Sequence, residues 1–283
     1  MIINIYNYLR LMRFDQPAGL FLLLAPIFCS IAFCGEHIFL NKVTVIFTLG
    51  AIIARSAGCI INDIIDLKFD RQVERTKTRA LASGDVSIFE ASIILIILLT
   101  IGLLLLFQLN ELNIKIGFLA IILITLYPLM KRITYWPQLF LGITFNLGII
   151  MAQIEINHAI NKSSIFLYVG SIFWTLGYDT IYAYQDKKDD ELIGVKSSAI
   201  ALGKDGKKWI NFFYRAFLIM YFFAVKFSDL SIYTYIFLVL SSIYAYWQIS
   251  KFDANDPKIC SKIFKSNIYL GVILILGFAL GRI

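Results

Sequence analysis

The feature that most constrains this chain is the recurrence of apolar runs of about twenty residues, separated by short polar segments. The sequence is 59% hydrophobic and only 16% charged, whereas soluble domains average about 45–50% apolar and about 25% charged residues. Such runs can cross a hydrocarbon layer of about 30 Å, where a backbone must be helical to satisfy its own hydrogen bonds. The sequence therefore predicts an all-α integral membrane protein.

The apolar runs predict a bundle of about nine transmembrane helices in a single polytopic domain over residues 1–283. The predicted spans are 18–35, 43–62, 88–108, 113–130, 137–154, 165–184, 209–226, 232–250 and 267–282. The four cysteines lack metal or disulfide spacing, and the histidines, His37 and His158, form no metal pattern. The polar segments between the spans are therefore where chemistry is expected.

Lysine and arginine are distributed unevenly between the two sides of these spans. Of the 26 bases, 19 fall in the N-terminal lead and in the connections on the same side, and five fall on the opposite side. Because such bases are retained in the cytoplasm, we predict a cytoplasmic N-terminus and active site in the inner (cytoplasmic) membrane. This asymmetry accounts for the net charge of +7 without a nucleic-acid partner. The expected partner is the lipid bilayer.

The two longest connections, about 63–87 and 185–208, follow the second and sixth predicted spans and therefore emerge on the same side. Each begins with spaced aspartates and continues into bases and small residues, TKTRALASG in one and VKSSAIALG in the other. The parallel suggests an internal duplication of helices 1–4 and 5–8.

Oxygen-bearing side chains at the start of these connections follow helical spacing and form two acidic rows. The first row is Asn62, Asp66 and Asp70, and the second is Asp179, Asp186 and Asp190. Steps of four residues keep the first row within an arc of about 80° on one helix face. Asp179 lies inside an apolar span, where an ionisable residue indicates a functional site. Solvated loop charges would explain either row alone, but two rows on one side favour a shared ligand.

Two facing rows of carboxylates require a cation between them. Carboxylate oxygens completed by water and substrate phosphates are what Mg²⁺ prefers. Nearby bases can take up the remaining phosphate charge. These bases are Arg75, Lys77, Arg79, Lys131, Arg132 and Lys196. We therefore predict a site for Mg²⁺ and a diphosphate.

Arg55 lies seven residues before Asn62 on the same helical stripe, about 10 Å deeper in the apolar run. A permanent cation at that depth requires an anion. Two partners are open: Asp179 in a structural ion pair, or the carboxylate of a second substrate below the metal layer. We favour the second.

Four segments of the chain resemble the 4-hydroxybenzoate polyprenyltransferases of the UbiA family. They are RLMRFDQPAG, RSAGCIINDIIDLKFDRQVERTKTRAL, YPLMKR and YDTIYAYQDKKDDELIGVKSSAIALG. The similarity extends over essentially the whole chain. It implies a nine-helix membrane prenyltransferase whose N-D-x-x-D-x-x-x-D and D-x-x-x-D motifs bind an allylic diphosphate through Mg²⁺.

The resemblance also implies roles for individual residues. The metal ligands implied are Asn62, Asp66, Asp70, Asp179, Asp186 and Asp190, of which Asp66, Asp70, Asp186 and Asp190 are the catalytic motif aspartates. Arg79 and Lys131 match bases that contact the diphosphate, the latter within the element that begins at Tyr127, and we group Arg132 with them. Arg55 matches the position that holds the aromatic acid.

The activity that the resemblance implies is Mg²⁺-dependent transfer of a polyprenyl group from a polyprenyl diphosphate to 4-hydroxybenzoate. The new bond forms at the ring carbon ortho to the hydroxyl, in an early step of ubiquinone biosynthesis. The alternatives are prenyl transfer to another aromatic acceptor and an ion-coupled membrane transporter. A transporter also places carboxylates within a helical bundle, although usually near the bilayer midplane.

Overall fold

The computed structural model describes residues 5–35, 41–73 and 76–282, and it is all-helical over those residues. His37 and Arg75, considered above, lie outside them. The helices are α1 (Ile5–Leu11), α2 (Ala18–Phe33), α3 (Lys42–Asp70), α4 (Ile88–Leu106), α5 (Glu111–Ile133), α6 (Pro137–Phe145), α7 (Leu147–Asn157), α8 (Lys162–Ile193), α9 (Ser198–Leu202), α10 (Gly206–Lys226), α11 (Tyr233–Lys251) and α12 (Pro257–Leu280), with a 3₁₀ turn at Gly203–Asp205.

Five segments of the described chain are long and apolar enough to cross a membrane, judged by length and composition. They are α3, α4, α5, the consecutive pair α6 and α7, and α12. Helix α2 is also apolar but shorter. The helical class predicted from the sequence is therefore confirmed, with five candidate spans in the described chain. Each of the nine predicted ranges coincides with a helix or a helix pair, and the count of about nine membrane spans stays a prediction.

Three helices extend well beyond their predicted spans, and one of them, α12, begins ten residues before its predicted start at residue 267. Helix α3 continues to Asp70, past the predicted end at residue 62, and α8 continues to Ile193, past 184. Helix α8 ends at Gly194, which adopts the left-handed conformation (φ 73°) and donates its N–H to the Asp190 carbonyl. Hydropathy detects where apolar residues stop, but a helix continues through polar residues until a terminating signal appears. The acidic rows therefore lie on helices.

The fifth predicted span is two helices, α6 and α7, which meet at Asn146. The buried Asn146 side chain donates through Nδ2 to the Gly142 carbonyl (2.7 Å) and to Thr175 Oγ1 on α8 (2.9 Å). These bonds hold the junction of α6 and α7 against α8. Apolar spacing alone could not reveal this break.

The contacts group the described chain into two compact units, which are considered separately. The first contains the described residues of Met1–Leu20 and of Thr48–Pro128. Its buried apolar core joins α1, α3, α4 and the connection that precedes α4 through Leu11, Ile60, Ala80, Leu81, Val86 and Ala91. Helix α4 starts with a capping box between Ser87 and Glu90, which sets the end of that connection.

The second unit contains the described residues of Phe21–Phe47 and of Leu129–Ile283. Helix α8 packs against α6, α7, α9, α10 and α12. The Trp174 ring of α8 stacks on Phe217 of α10, with ring centroids 5.4 Å apart. Asn267 of α12 accepts hydrogen bonds from Trp174 Nε1 (2.8 Å) and from the Tyr214 hydroxyl (2.9 Å). These buried polar bonds fix α10 and α12 against α8, the helix that carries the second acidic row.

Candidate active site

The first acidic row occupies the C-terminal part of α3, in the first unit. Asp66 is fully buried and Asp70 is 6% exposed, whereas Asn62 is half-buried. Arg79, on the connection after α3, donates from Nη1 to Asp70 Oδ2 at 2.7 Å. The structure therefore brings a predicted diphosphate-binding base onto a predicted metal-binding carboxylate.

The structure adds Asp63 and Arg13 to this row. Both lie in segments that carry the family resemblance, but neither has a role predicted from the sequence. Asp63 is 1% exposed, and its Oδ1 accepts from Arg13 Nη2 at 2.6 Å and from Arg79 Nη1 at 3.3 Å. Asp63 precedes Asp70 by seven residues, which places the two within about 20° on the helix. That spacing was available as a signal for Asp63. No local pattern identifies Arg13 as its partner.

Further bonds hold the N-terminal segment in the first unit. The Tyr8 hydroxyl donates to Glu90 Oε1 at 2.9 Å, and this hydrogen bond raises the pKa of Tyr8. Arg10 Nη1 pairs with Asp85 Oδ2 at 3.0 Å. Hydrogen bonds from Ser83 and Arg10 lower the pKa of Asp85, so the carboxylate stays charged and the ion pair persists at neutral pH.

Arg55 lines a small cleft in the first unit together with residues of the N-terminal segment and of α3. The lining residues are Met12, Arg13, Phe14, Pro17, Leu20, Ile52, Arg55 and Ser56. No carboxylate among the described residues of this unit forms an ion pair with Arg55. A Cβ atom on Gly19 would lie 2.5 Å from Arg55 Nη2, so the guanidinium occupies the space that this glycine leaves. The cleft therefore combines an apolar lining with cationic groups.

The second acidic row lies on α8, in the second unit. Asp179, Asp186 and Asp190 are each half-buried. The Asp190 carbonyl accepts from the N–H groups of Gly194 and Val195, which closes the helix directly after the row. The row therefore has a rigid helical support.

The chain that follows this row is hydrogen-bonded to the end of α5. The N–H of Lys196 donates to the Lys131 carbonyl at 2.7 Å, and its Nζ donates to the Ile133 carbonyl at 3.0 Å. Lys196 Nζ also lies over the Tyr135 ring, 5.4 Å from its centroid. Lys196 therefore joins the chain after α8 to the end of α5, and its contact with phosphate stays a prediction.

The other predicted bases and Tyr127 lie on α5, which contains Pro128. Tyr127 and Lys131 are half-buried, and Arg132 is exposed in the last turn. Lys131 is thus the base on this helix that combines partial burial with a backbone contact to the chain after the second acidic row.

The donor atoms suit magnesium, because both rows offer carboxylate oxygens and the first adds an amide oxygen. In the described part of the chain, no group of three His, Cys, Asp or Glu side chains is arranged to hold an ion alone. An Mg²⁺ ion bound here would therefore take further ligands from water and phosphate, as Mg²⁺ usually does.

The fold identifies the structural class of the protein. Its chain superimposes on an apo UbiA homologue from Aeropyrum pernix K1 with a TM-score of 0.80 and 20% identity, covering 94% of this chain and 98% of the other. A UbiA homologue from Archaeoglobus fulgidus, bound to GPP and Mg²⁺, gives a TM-score of 0.76 at 19% identity, covering 98% and 100%. The chain has the all-helical fold of these membrane proteins.

Sequence comparison identifies the family. Residues 23–272 match the UbiA prenyltransferase family, and the chain belongs to it. It is 42% identical over 279 residues to the mitochondrial 4-hydroxybenzoate polyprenyltransferase of Bos taurus, covering 98% of this chain and 75% of the relative. It is 40% identical over 277 residues to 4-hydroxybenzoate geranyltransferase 1 of Lithospermum erythrorhizon, covering 98% and 90%. The protein is therefore a prenyltransferase.

Proposed function

We propose that this enzyme transfers a polyprenyl group from a polyprenyl diphosphate to 4-hydroxybenzoate, with Mg²⁺, as an early step of ubiquinone biosynthesis. The observation that carries the proposal is about 40% identity, over nearly the whole chain, to proteins named for this acceptor. The two acidic rows and the cationic cleft supply the two kinds of binding that such a reaction requires.

The reaction breaks the allylic C–O bond, and the diphosphate leaves with the electron pair. Mg²⁺, when bound, acts as a Lewis acid that stabilises the negative charge on this leaving group. The residues proposed to hold the ion are Asn62, Asp66, Asp70, Asp179, Asp186 and Asp190. Arg79, Lys131, Arg132 and Tyr127 are proposed to contact the diphosphate, where fixed cations stabilise the transition-state charge.

The acceptor must present the ring carbon ortho to its hydroxyl to the prenyl carbon. We assign the acceptor carboxylate to Arg55, because a guanidinium can bind a carboxylate through two parallel hydrogen bonds and so orient the ring. A C–C bond then forms at the ortho carbon, and the ring proton leaves. The apolar lining of the cleft excludes water that would otherwise capture the cationic prenyl group.

We further propose a single domain of about nine spans, related by duplication between helices 1–4 and 5–8, with a cytoplasmic N-terminus in the inner membrane. The orientation rests on the excess of bases on one side of the predicted spans. The assignment to the inner membrane rests on that charge distribution alone, because several relatives are named as mitochondrial proteins and do not support it.

Alkaline phosphatase fusions after residues 86 and 110 test the orientation. Only the fusion after residue 110 is expected to be active, because that connection is predicted to lie on the side opposite the cytoplasm.

The decisive test is an assay of the purified protein with 4-hydroxybenzoate and prenyl diphosphates of increasing length. We expect a product whose mass equals the sum of the two substrates less diphosphoric acid. Product formation should stop when EDTA is added and resume with excess Mg²⁺. Product with another aromatic acceptor only would replace the proposed acceptor. Movement of label across vesicles without a covalent product would indicate a transporter.

Arg55→Ala is expected to raise the KM for the aromatic acid roughly tenfold to a hundredfold, the usual range for a lost charged hydrogen bond. The KM for the prenyl diphosphate should change little. Gly19→Ala should cause a smaller rise in the same KM, because its Cβ displaces the guanidinium. Steady-state kinetics with each substrate varied in turn provide the measurement.

The matched control for Arg55 is Arg215→Ala, which removes an exposed arginine of α10. It should leave both KM values near those of the wild type. An equal rise in both KM values for Arg55→Ala would contradict a specific role in holding the acid.

A further inference from the structure

We infer that Asp63, the second residue of the N-D-x-x-D-x-x-x-D motif, is a positioning residue that links the two substrate sites, and that it is not a metal ligand. Its buried carboxylate holds Arg13 of the acceptor cleft and Arg79 of the diphosphate site at the same time. This inference rests on the proposed function, which assigns those sites to their substrates.

The bond geometry places both arginines on one oxygen atom. Arg13 Nη2 lies 2.6 Å from Asp63 Oδ1, and Arg79 Nη1 lies 3.3 Å from the same atom. The side chains of Arg13 and Arg79 are 13% and 17% exposed, against 1% for Asp63, so water screens these pairs little. A metal ion at Oδ1 would have to displace two guanidinium groups. We therefore assign Asp63 Oδ1 the role of orienting the guanidinium groups of Arg13 and Arg79.

Arg79 extends the link to the acidic row. Its Nη1 bonds Asp70 Oδ2 at 2.7 Å as well as Asp63 Oδ1. Asp63 thus shares the guanidinium with a proposed metal ligand and limits where the guanidinium can lie. Without Asp63, Arg79 could move toward Asp70 or out of the site, and its alignment with a diphosphate would be lost.

The backbone at Arg13 closes helix α1. Arg13 has φ 61°, in the left-handed region. Its N–H donates to the Arg10 carbonyl and the Phe14 N–H donates to the Leu9 carbonyl, both at 3.0 Å, which is the hydrogen-bond pattern of a Schellman C-cap. Arg13 therefore lies at the turn directly after α1, from which its side chain reaches Asp63 on α3.

The link has a functional consequence because Arg13 also lines the cleft that contains Arg55. A change at Asp63 should therefore disturb the acceptor cleft through Arg13 and the diphosphate site through Arg79. A change at Arg13 alone should disturb mainly the cleft. A metal ligand would instead affect the requirement for Mg²⁺.

The test compares Asp63→Asn, Arg13→Gln and their combination. Asp63→Asn keeps the size of the side chain and one acceptor oxygen but removes the charge. We expect it to raise the KM of both substrates roughly tenfold, with kcat and the Mg²⁺ concentration for half-maximal rate changed less than about threefold. Arg13→Gln should raise chiefly the KM for the acid. In the double variant the rise for the acid should not exceed that of Asp63→Asn, because the two act through one bond.

The other carboxylate oxygen of Asp63, Oδ2, is buried and has no hydrogen-bond partner within the described structure. Because this oxygen is available to an ion, the Mg²⁺ concentration for half-maximal rate is the measurement that separates a positioning residue from a metal ligand. A requirement raised tenfold or more in Asp63→Asn, with normal KM values in Arg13→Gln, would make Asp63 a ligand and overturn the inference. Additive effects in the double variant would also overturn it. Asp15→Asn, an exposed acid beside the same segment, is the control and should change none of these values.

Two further measurements keep the test decisive. If Asp63→Asn does not fold, Arg13→Gln still tests the inference. It should raise the KM for the aromatic acid more than the KM for the prenyl diphosphate, and an equal rise in both would contradict the inference. If the wild-type protein forms no product with 4-hydroxybenzoate, the proposed function fails, and binding of a non-reactive prenyl thiodiphosphate then tests Asp63 separately. Unchanged binding in Asp63→Asn would contradict the inference in that case.

Discussion

Replacement of Asp66 by alanine is expected to abolish product formation, lowering kcat/KM by at least about a thousandfold. Asp66 is fully buried on α3, one helical turn from both Asn62 and Asp70. Its carboxylate is the centre of the proposed first metal-binding row. Without it, this row would lose its central metal-binding carboxylate, and the Lewis-acid stabilisation that Mg²⁺ would supply to the leaving diphosphate would fall accordingly. The measurement is turnover by purified protein at a defined Mg²⁺ concentration.

The interpretation requires that the variant still inserts and folds, which size-exclusion chromatography and thermal denaturation in detergent would show. Asp85→Asn is a useful control, because it removes an acid of the same unit whose partner, Arg10, is not a proposed site residue. It should retain turnover close to that of the wild type. Wild-type turnover in folded Asp66→Ala would refute the proposal that this row binds the metal.

Asp186→Ala is expected to be equally severe, with a loss of at least about a thousandfold, although Asp186 belongs to the second unit. The reason is that the proposed function assigns metal ligands for one diphosphate to both rows, so that each row is required for turnover. The matched control is Glu191→Ala, five residues later on the same helix. Glu191 is exposed and faces away from the row, since five residues rotate a helix by about 140°.

Comparison of these two variants tests whether both rows serve one substrate. Loss of turnover in Asp66→Ala with normal turnover in folded Asp186→Ala would confine the metal to α3. Measuring both variants is therefore more informative than measuring either alone. The comparison shows whether Asp66 and Asp186, 120 positions apart in the sequence, act on the same diphosphate.

Much of the fold follows from hydropathy. Each predicted span coincides with a helix or a helix pair because burial in a hydrocarbon layer permits few alternatives to a helix. Hydropathy fails at the helix ends, where α3 and α8 continue through charged residues. It also fails at Asn146, where α6 ends and α7 begins without any change in the apolar pattern.

The acidic rows follow from spacing, and the family from the motifs that contain them. The contacts of the bases do not follow from either. Lys196, for example, donates to the Ile133 carbonyl, because the chain after α8 returns to the end of α5. Arg13 lies within the segment RLMRFDQPAG, but nothing in that segment indicates that its guanidinium pairs with Asp63. Proximity to an acidic row in sequence does not determine where a long basic side chain will bond.

Local properties of the sequence were thus sufficient for the helical membrane character, the two acidic rows and the prenyltransferase family, because hydropathy, helical period and motifs are each read over a few tens of residues at most. Only the folded chain shows that Asp63 accepts from Arg13, fifty residues earlier, and from Arg79 in the following connection. Pairing of that kind depends on how helices and connections pack. The charges and their spacing along the chain are therefore not sufficient to predict which arginine pairs with which carboxylate.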